Sequence, residues 1–286
     1  MKILLPTLFA LLFSVSLFAQ STTDENDEDF NPHAVNPLIS LPLAVGAGYL
    51  GQDRAYGVRE KELTPIADIM AVNRNDVPGI DRWALDLDTD GLREVQRNSD
   101  YVQNISHAAP FALFIWKKYR RNWLDITTMY LEAQALQGLI YGYAPFGPTQ
   151  TNRFRPSVYY TELDMESRRD GNARNSMFSG HVSTSTTSVY FLAKMIDDYN
   201  PDFTTGQRIL LYAGATVPAA YGGWLRIKAL KHFPTDVAVG TAVGAFSGIM
   251  VPQFHKWWAK KHAKTSAMIS PFYGGGAGGG SFVLTF

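Results

Sequence analysis

The chain has 286 residues, 46% of them hydrophobic, with 26 basic and 26 acidic side chains and no formal net charge. That length supplies a sizeable core for one large domain or two small ones. A neutral balance gives no whole-molecule attraction for nucleic acid, and the absence of cysteine excludes disulfides, thiolate metal sites and cysteine nucleophiles.

The chain opens MKILLPTLFALLFSVSLFAQ, with Lys2 ahead of an apolar stretch from Ile3 to Phe18 and small Ala19 before Gln20. This is the pattern of a secretory signal peptide over residues 1–19, and Leu17 is its one departure at the third residue before cleavage. An uncleaved anchor helix is the alternative. Residues 20–35 begin STTDENDEDFNP and read as an acidic, disordered segment. The protein is therefore expected in the cell envelope.

Six apolar segments then read as helices: Asn36–Leu50, Asn104–Trp116, Trp123–Tyr143, Val182–Met195, Ile209–Leu225 and Val237–Val251. Two polar connectors, roughly 52–103 and 144–178, show no sustained strand alternation, so the fold class is all-α over residues 36–264. The last two helices approach the length of a membrane span. The basic clusters KKYRR at 117–121 and HKWWAKKHAK at 255–264 fall on one side if the helices alternate, and the positive-inside rule makes that side cytoplasmic. Trp123, Trp257 and Trp258 suit an interfacial belt. A membrane-embedded bundle is thus favoured over a soluble one. One conflict follows: a cleaved leader followed by a spanning Asn36–Leu50 puts KKYRR outside. It disappears if Asn36–Leu50, with Pro37 and Pro42, does not span, or if the leader stays as an anchor. Residues 265–286 form a Gly-rich tail, read as a flexible linker plus a short strand.

The same alternation collects chemistry on the other side. Arg153 and Arg155 follow the third segment, Ser179, Gly180 and His181 open the fourth, Arg226 closes the fifth, and His232 and Asp236 lead into the sixth. Guanidinium forks bind phosphate oxygens bidentately. A helix opening at Ser179-Gly180 offers free N–H groups and a favourable dipole to an anion. A neutral His232 is a candidate nucleophile, with Asp236 four residues on to hold its other ring nitrogen. His181 is a candidate proton donor to the leaving oxygen. His33, His107, His255 and His262 read as ordinary hydrogen-bonded histidines, and no metal or other cofactor is expected.

This ordered set resembles the type 2 phosphatidic acid phosphatase (PAP2) superfamily, which includes class A acid phosphatases and vanadium haloperoxidases. Arg155-Pro156 matches the end of its first motif, Ser179-Gly180-His181 the second, and Arg226-x5-His232-x3-Asp236 the third, across roughly residues 105–252. The resemblance implies a bundle of about six core helices and a phosphohistidine on His232. It also implies support from Asp236, protonation of the leaving group by His181, and phosphate held by Arg155, Arg226, Ser179 and Gly180. Three positions depart: Pro148 stands at the first-motif lysine, Phe178 at the second-motif proline and Leu225 at the serine before the arginine. Arg153 is expected to take the place of the lost lysine.

The expected activity is a metal-independent phosphatase acting on a lipid phosphate or diphosphate at the outer face of a membrane. A soluble periplasmic acid phosphatase is the alternative. A vanadate-dependent haloperoxidase ranks lower because the lost lysine weakens an anion site that must hold vanadate permanently, and an inactive binding protein ranks lower because the four residues most needed for chemistry remain. The expected partners are a phosphoester substrate and a membrane.

Overall fold

The computed structural model describes residues 31–59, 61–262, 266–274 and 277–285; the expected leader and most of the acidic segment lie outside them. Six long helices build the domain: α1 (Pro37–Arg59), α2 (Leu92–Ala108), α3 (Trp123–Tyr143), α4 (Gly180–Asp198), α5 (Thr205–Lys228) and α6 (Pro234–His262). The all-α reading of the domain holds. Beyond it, Ser266–Gly274 pairs antiparallel with Ala277–Thr285, so the glycine-rich tail is a two-stranded hairpin rather than a linker followed by one strand.

Helix α3 has the bounds read from sequence. Helix α2 does not: it begins at Leu92, inside the expected polar connector, and gives way at Ala109 to a 3-10 segment through Ile115. Its inward face carries Leu92, Val95, Ser99, Val102 and Ser106 at three- and four-residue spacing. Two of those five are serines, which hides a helical period from a reading based on apolar residues. Asn36 starts α1 by accepting the N–H of Leu38 on its side chain at 3.2 Å, with Pro37 at the first helical position.

Helix α4 lies at the centre and packs against α2, α3, α5 and α6. Its contact with α6 rests on small residues. A Cβ added to Gly240, Gly244 or Gly248 of α6 would lie 2.8, 2.4 or 2.5 Å from the carbonyl oxygen of Ser179, Ser183 or Thr187 of α4. Two matching ridges at four-residue spacing therefore bring the backbones together. The polar Ser/Thr run of α4 satisfies itself locally: Thr187 donates to Ser183 O at 2.8 Å and Ser188 to Thr184 O at 3.0 Å. Close approach of small residues with hydroxyls bonded to their own helix is a packing mode that works without a hydrophobic drive between helices.

Helix α1 runs the length of the bundle beside α3. A Cβ on its Gly51 would lie 2.6 Å from the carbonyl carbon of Gly138. Residues 31–35, expected as part of a disordered segment, pack against the far end of the bundle. Asn31 donates to Asp125 at 2.7 Å, and Ala34 O is 2.9 Å from Nδ1 of His255. Lys118 bonds Asn200 and Lys256 bonds Asp198, so both basic clusters sit at that same end. The start of α1 is there too, which removes the option that this segment fails to run the bundle.

Among the described residues one helix, Pro234–Lys261, is long and apolar enough to cross a membrane by length and composition. Large apolar side chains lie exposed along α1 (Leu38, Leu43, Tyr49), α5 (Ile209, Leu210, Val217) and α6 (Phe246, Phe254, Trp257).

Candidate active site

The site forms where α4 and α6 begin, α5 ends and α2 passes. Ser179 caps α4: its hydroxyl oxygen accepts the N–H of Val182, while its own N–H donates to Asp236 O at 3.1 Å. Both groups of this fully buried serine are used to fix the start of α4 against the start of α6. What α4 presents to an anion is its following first-turn N–H groups, beginning at Gly180. Gly180 is required sterically, since a Cβ there would lie 2.9 Å from the ring of Tyr141. Phe178, which replaces the motif's proline, follows a cis peptide bond and is fully buried.

Helix α5 ends in a Schellman turn. Lys231 N–H donates to Arg226 O at 3.1 Å and Leu230 N–H to Ile227 O at 2.9 Å, with Leu230 at φ +55°. Glycine is the usual residue in that left-handed conformation, and a leucine costs about 1–2 kcal/mol there. Leu230 is fully buried in a cluster with Ile227, Phe233 and Tyr160, and burying a leucine contributes about 1.5–3 kcal/mol, enough to hold the turn. The turn reverses the chain, so that Arg226, Lys231 and His232 gather within one loop.

His232 is buried, and its Nδ1 lies 2.7 Å from Ser176 O. A carbonyl only accepts, so Nδ1 carries the proton and Nε2 keeps its lone pair. Burial, followed by the charges of Arg155 and Arg226, holds the imidazole well below its ordinary pKa. A neutral histidine of this tautomer is a nucleophile over the whole neutral range.

Asp236 does not take the expected place on the His232 ring. Its Oδ2 accepts Ser176 Oγ at 2.5 Å and Phe233 N–H at 2.7 Å, and its Oδ1 accepts Arg153 at 2.5 Å. Its contact with the nucleophile is indirect: it ties down Ser176, whose carbonyl orients His232. Three residues past Phe233, the Asp236 side chain reaches back to the N–H of this residue just ahead of α6, as an acid in a capping box does.

Arg153 is also displaced from its expected role. Its two terminal nitrogens meet Asp236 Oδ1 at 2.5 Å and Asp81 Oδ2 at 2.6 Å, and its guanidinium lies 4.6 Å from the Phe233 ring centre. Two buried carboxylates are the stronger claim on that charge, so Arg153 braces the loop from behind instead of replacing the lost lysine. Asp81 completes the brace by accepting Thr235 N–H at 2.9 Å and Thr235 Oγ1 at 2.6 Å. Asp81 lies in a short helix of the first connector, Gly79–Arg82, and no spacing in the sequence links it to residue 236.

Asp100 of α2 is the second carboxylate the sequence did not reveal. His181 Nε2 lies 3.0 Å from Asp100 Oδ1, and Arg226 lies 3.9 Å from the same oxygen. A carboxylate partner places a proton on that Nε2. Arg226 also donates to Ser99 at 3.2 Å, and its buried Nε has no hydrogen-bond acceptor among the described residues. A buried N–H without an acceptor costs about 1–3 kcal/mol, which an arriving phosphate oxygen would recover. Arg155 is placed by its N–H to Ala173 O at 2.8 Å and bonds Asn172 at 3.1 Å.

The structure therefore brings His232, His181, Arg226, Arg155 and the start of α4 to one end of the bundle, as the motif order implies. Among the described residues no group of three or more His, Asp or Glu side chains is placed to hold a metal ion. An all-helical frame that presents two arginines, a helix N-terminus, a neutral histidine and a second histidine paired with a carboxylate defines an oxyanion-binding hydrolase site. The family model of the PAP2 superfamily matches residues 123–260, from the first residue of α3 to near the end of α6, so this part of the chain is similar to a PAP2 superfamily domain. That match supports phosphatase-type hydrolysis. No curated protein and no solved structure matches the chain.

Proposed function

We propose that the protein hydrolyses a lipid phosphate or diphosphate at the outer face of a membrane through a phosphohistidine on His232. The observation that carries this reading is the tautomer of His232, fixed by Ser176 O beside two arginines. In the first step Nε2 of His232 attacks phosphorus, the P–O bond to the lipid breaks, and the leaving oxygen takes a proton from the His181 ring. In the second step water attacks phosphorus, gives its proton to His181, and the P–N bond breaks to release phosphate. Arg155, Arg226 and the N–H groups at the start of α4 hold the non-bridging oxygens, whose charge rises in each transition state. Asp100 keeps the His181 ring oriented between steps.

A lipid substrate follows from the apolar side chains exposed along α1, α5 and α6 and from the small-residue contact of α4 with α6. Both suit a bundle surrounded by hydrocarbon. With the basic end in the cytoplasm the site opens outward. In this orientation residues 31–35 lie inside, whereas a cleaved secretory leader would leave them outside. A reporter active only outside the cytoplasm, fused ahead of Asn31, separates the two.

Phosphate release from a panel of lipid and soluble phosphoesters, with His232→Ala as control, tests the activity. The reading expects release from lipid phosphates in detergent or vesicles and none from the variant. Equal release by both proteins, or release from soluble esters alone, contradicts it.

A further inference from the structure

We propose that Lys231 is the third phosphate-binding cation of this site and does the work of the lysine that Pro148 replaces. The inference rests on the phosphatase reading of the same pocket. Arg153 cannot serve, because both its ends are held by Asp81 and Asp236. Lys61 reaches position 148 from the first connector, but its ammonium is spent on Pro148 O at 2.9 Å, Thr151 O at 3.0 Å and Asn152 at 3.0 Å, and it braces the loop.

Lys231 differs from both. The Schellman turn bonds its N–H to Arg226 O, and Ser157, two residues past Arg155, donates to Leu230 O at 3.2 Å. Lys231 thus stands between the two phosphate-binding arginines and directly before the nucleophile. Its side chain is only partly exposed, and its ammonium makes no ion pair among the described residues. The charged groups that face it are Arg155 from the loop after α3, Arg226 from α5, Asp170 from the second connector and Asp100 from α2. Burial, then the two arginines, pushes its pKa down to about 8. Three cations gathered in a partly buried loop are unfavourable alone and favourable around a dianion. An ammonium on a flexible stem suits that role as a point charge beside two planar forks.

The test measures vanadate affinity by thermal shift and kcat/KM against pH for the wild type, Lys231→Met and Lys231→Arg. Lys231→Met should weaken vanadate binding about 10- to 100-fold, the loss of one charge-assisted contact. Lys231→Arg should keep it. The wild type should lose kcat/KM as pH rises through about 8, since this ratio reports ionisation in the free enzyme. That limb should move to higher pH in Lys231→Arg. If Lys231→Met proves unstable, an unshifted limb in Lys231→Arg overturns the assignment, as does unchanged vanadate affinity in a folded Lys231→Met. A wild type that binds vanadate through Lys231 yet hydrolyses no ester would refute the phosphatase reading and leave this assignment standing.

Discussion

At the far end of the bundle Asp198 receives Lys194 and Lys256 at 2.6 and 2.5 Å on one oxygen and His33 at 3.0 Å on the other, while Glu132 takes His255 at 2.6 Å. At the site end Arg155, Arg226 and Lys231 gather around His232, and Asp100, 3.9 Å from Arg226, is already bonded to His181. Both ends are rich in polar and charged side chains. The first gives every one of these side chains an ionic partner and so ties residues 31–35, α4 and α6 together. The second leaves the Lys231 ammonium without an ion pair among the described residues, directly before a nucleophile. Buried charge that is fully paired is structural; buried charge that is under-paired is a place for a ligand of the opposite sign.

Substitutions at the two ends should separate activity from stability. His232→Ala removes the nucleophile and should lower turnover by at least about 10⁴-fold with an unchanged melting temperature. His181→Ala should cost about 10²- to 10⁴-fold in kcat, with the deficit smallest for substrates whose leaving group needs no proton. Arg153→Ala should act through geometry, lowering kcat on the order of 10²-fold while vanadate affinity stays as in the wild type. Weakened vanadate binding in that variant would return Arg153 to the phosphate pocket.

At the other end Asp198→Ala should leave kcat/KM near the wild-type value and lower stability by about 3–5 kcal/mol, because it strands two lysines that the aspartate compensates. Thermal unfolding in detergent measures this, and a large loss of kcat/KM in folded Asp198→Ala would erase the distinction between the ends. The smallest effect is on pH. His232 is held well below the ordinary value of 6.5, so the unfolded chain takes up a proton there that the folded protein refuses. Stability should therefore decline as pH falls below about 6.5, and activity should persist below that pH.

The legibility of the sequence follows the same division. His232, His181, Arg226 and Arg155 are readable because the chemistry fixes their types and the helix joints fix their order. What holds them is not readable. Asp81 lies 72 residues before Arg153 and 154 before Thr235, and Asp100 lies 81 residues before His181; a carboxylate at such separation looks like any solvated acid. The start of helix α2 is hidden because two of the five residues on its inward face are serines. Asp236 was recognised by spacing, but spacing cannot say that it reaches His232 through Ser176. Arg153 was placed by proximity to the motif, and two buried acids decided otherwise.

The central claim is that the uncompensated end carries a phosphoryl group on His232. Rapid acid-free quenching of the enzyme during turnover, followed by mass spectrometry of the peptide containing His232, reads it directly. The account predicts an acid-labile addition of one phosphoryl group to His232 in the wild type, accumulating further in His181→Ala with an activated ester. A wild type that releases phosphate with no such addition at any time during turnover would contradict it.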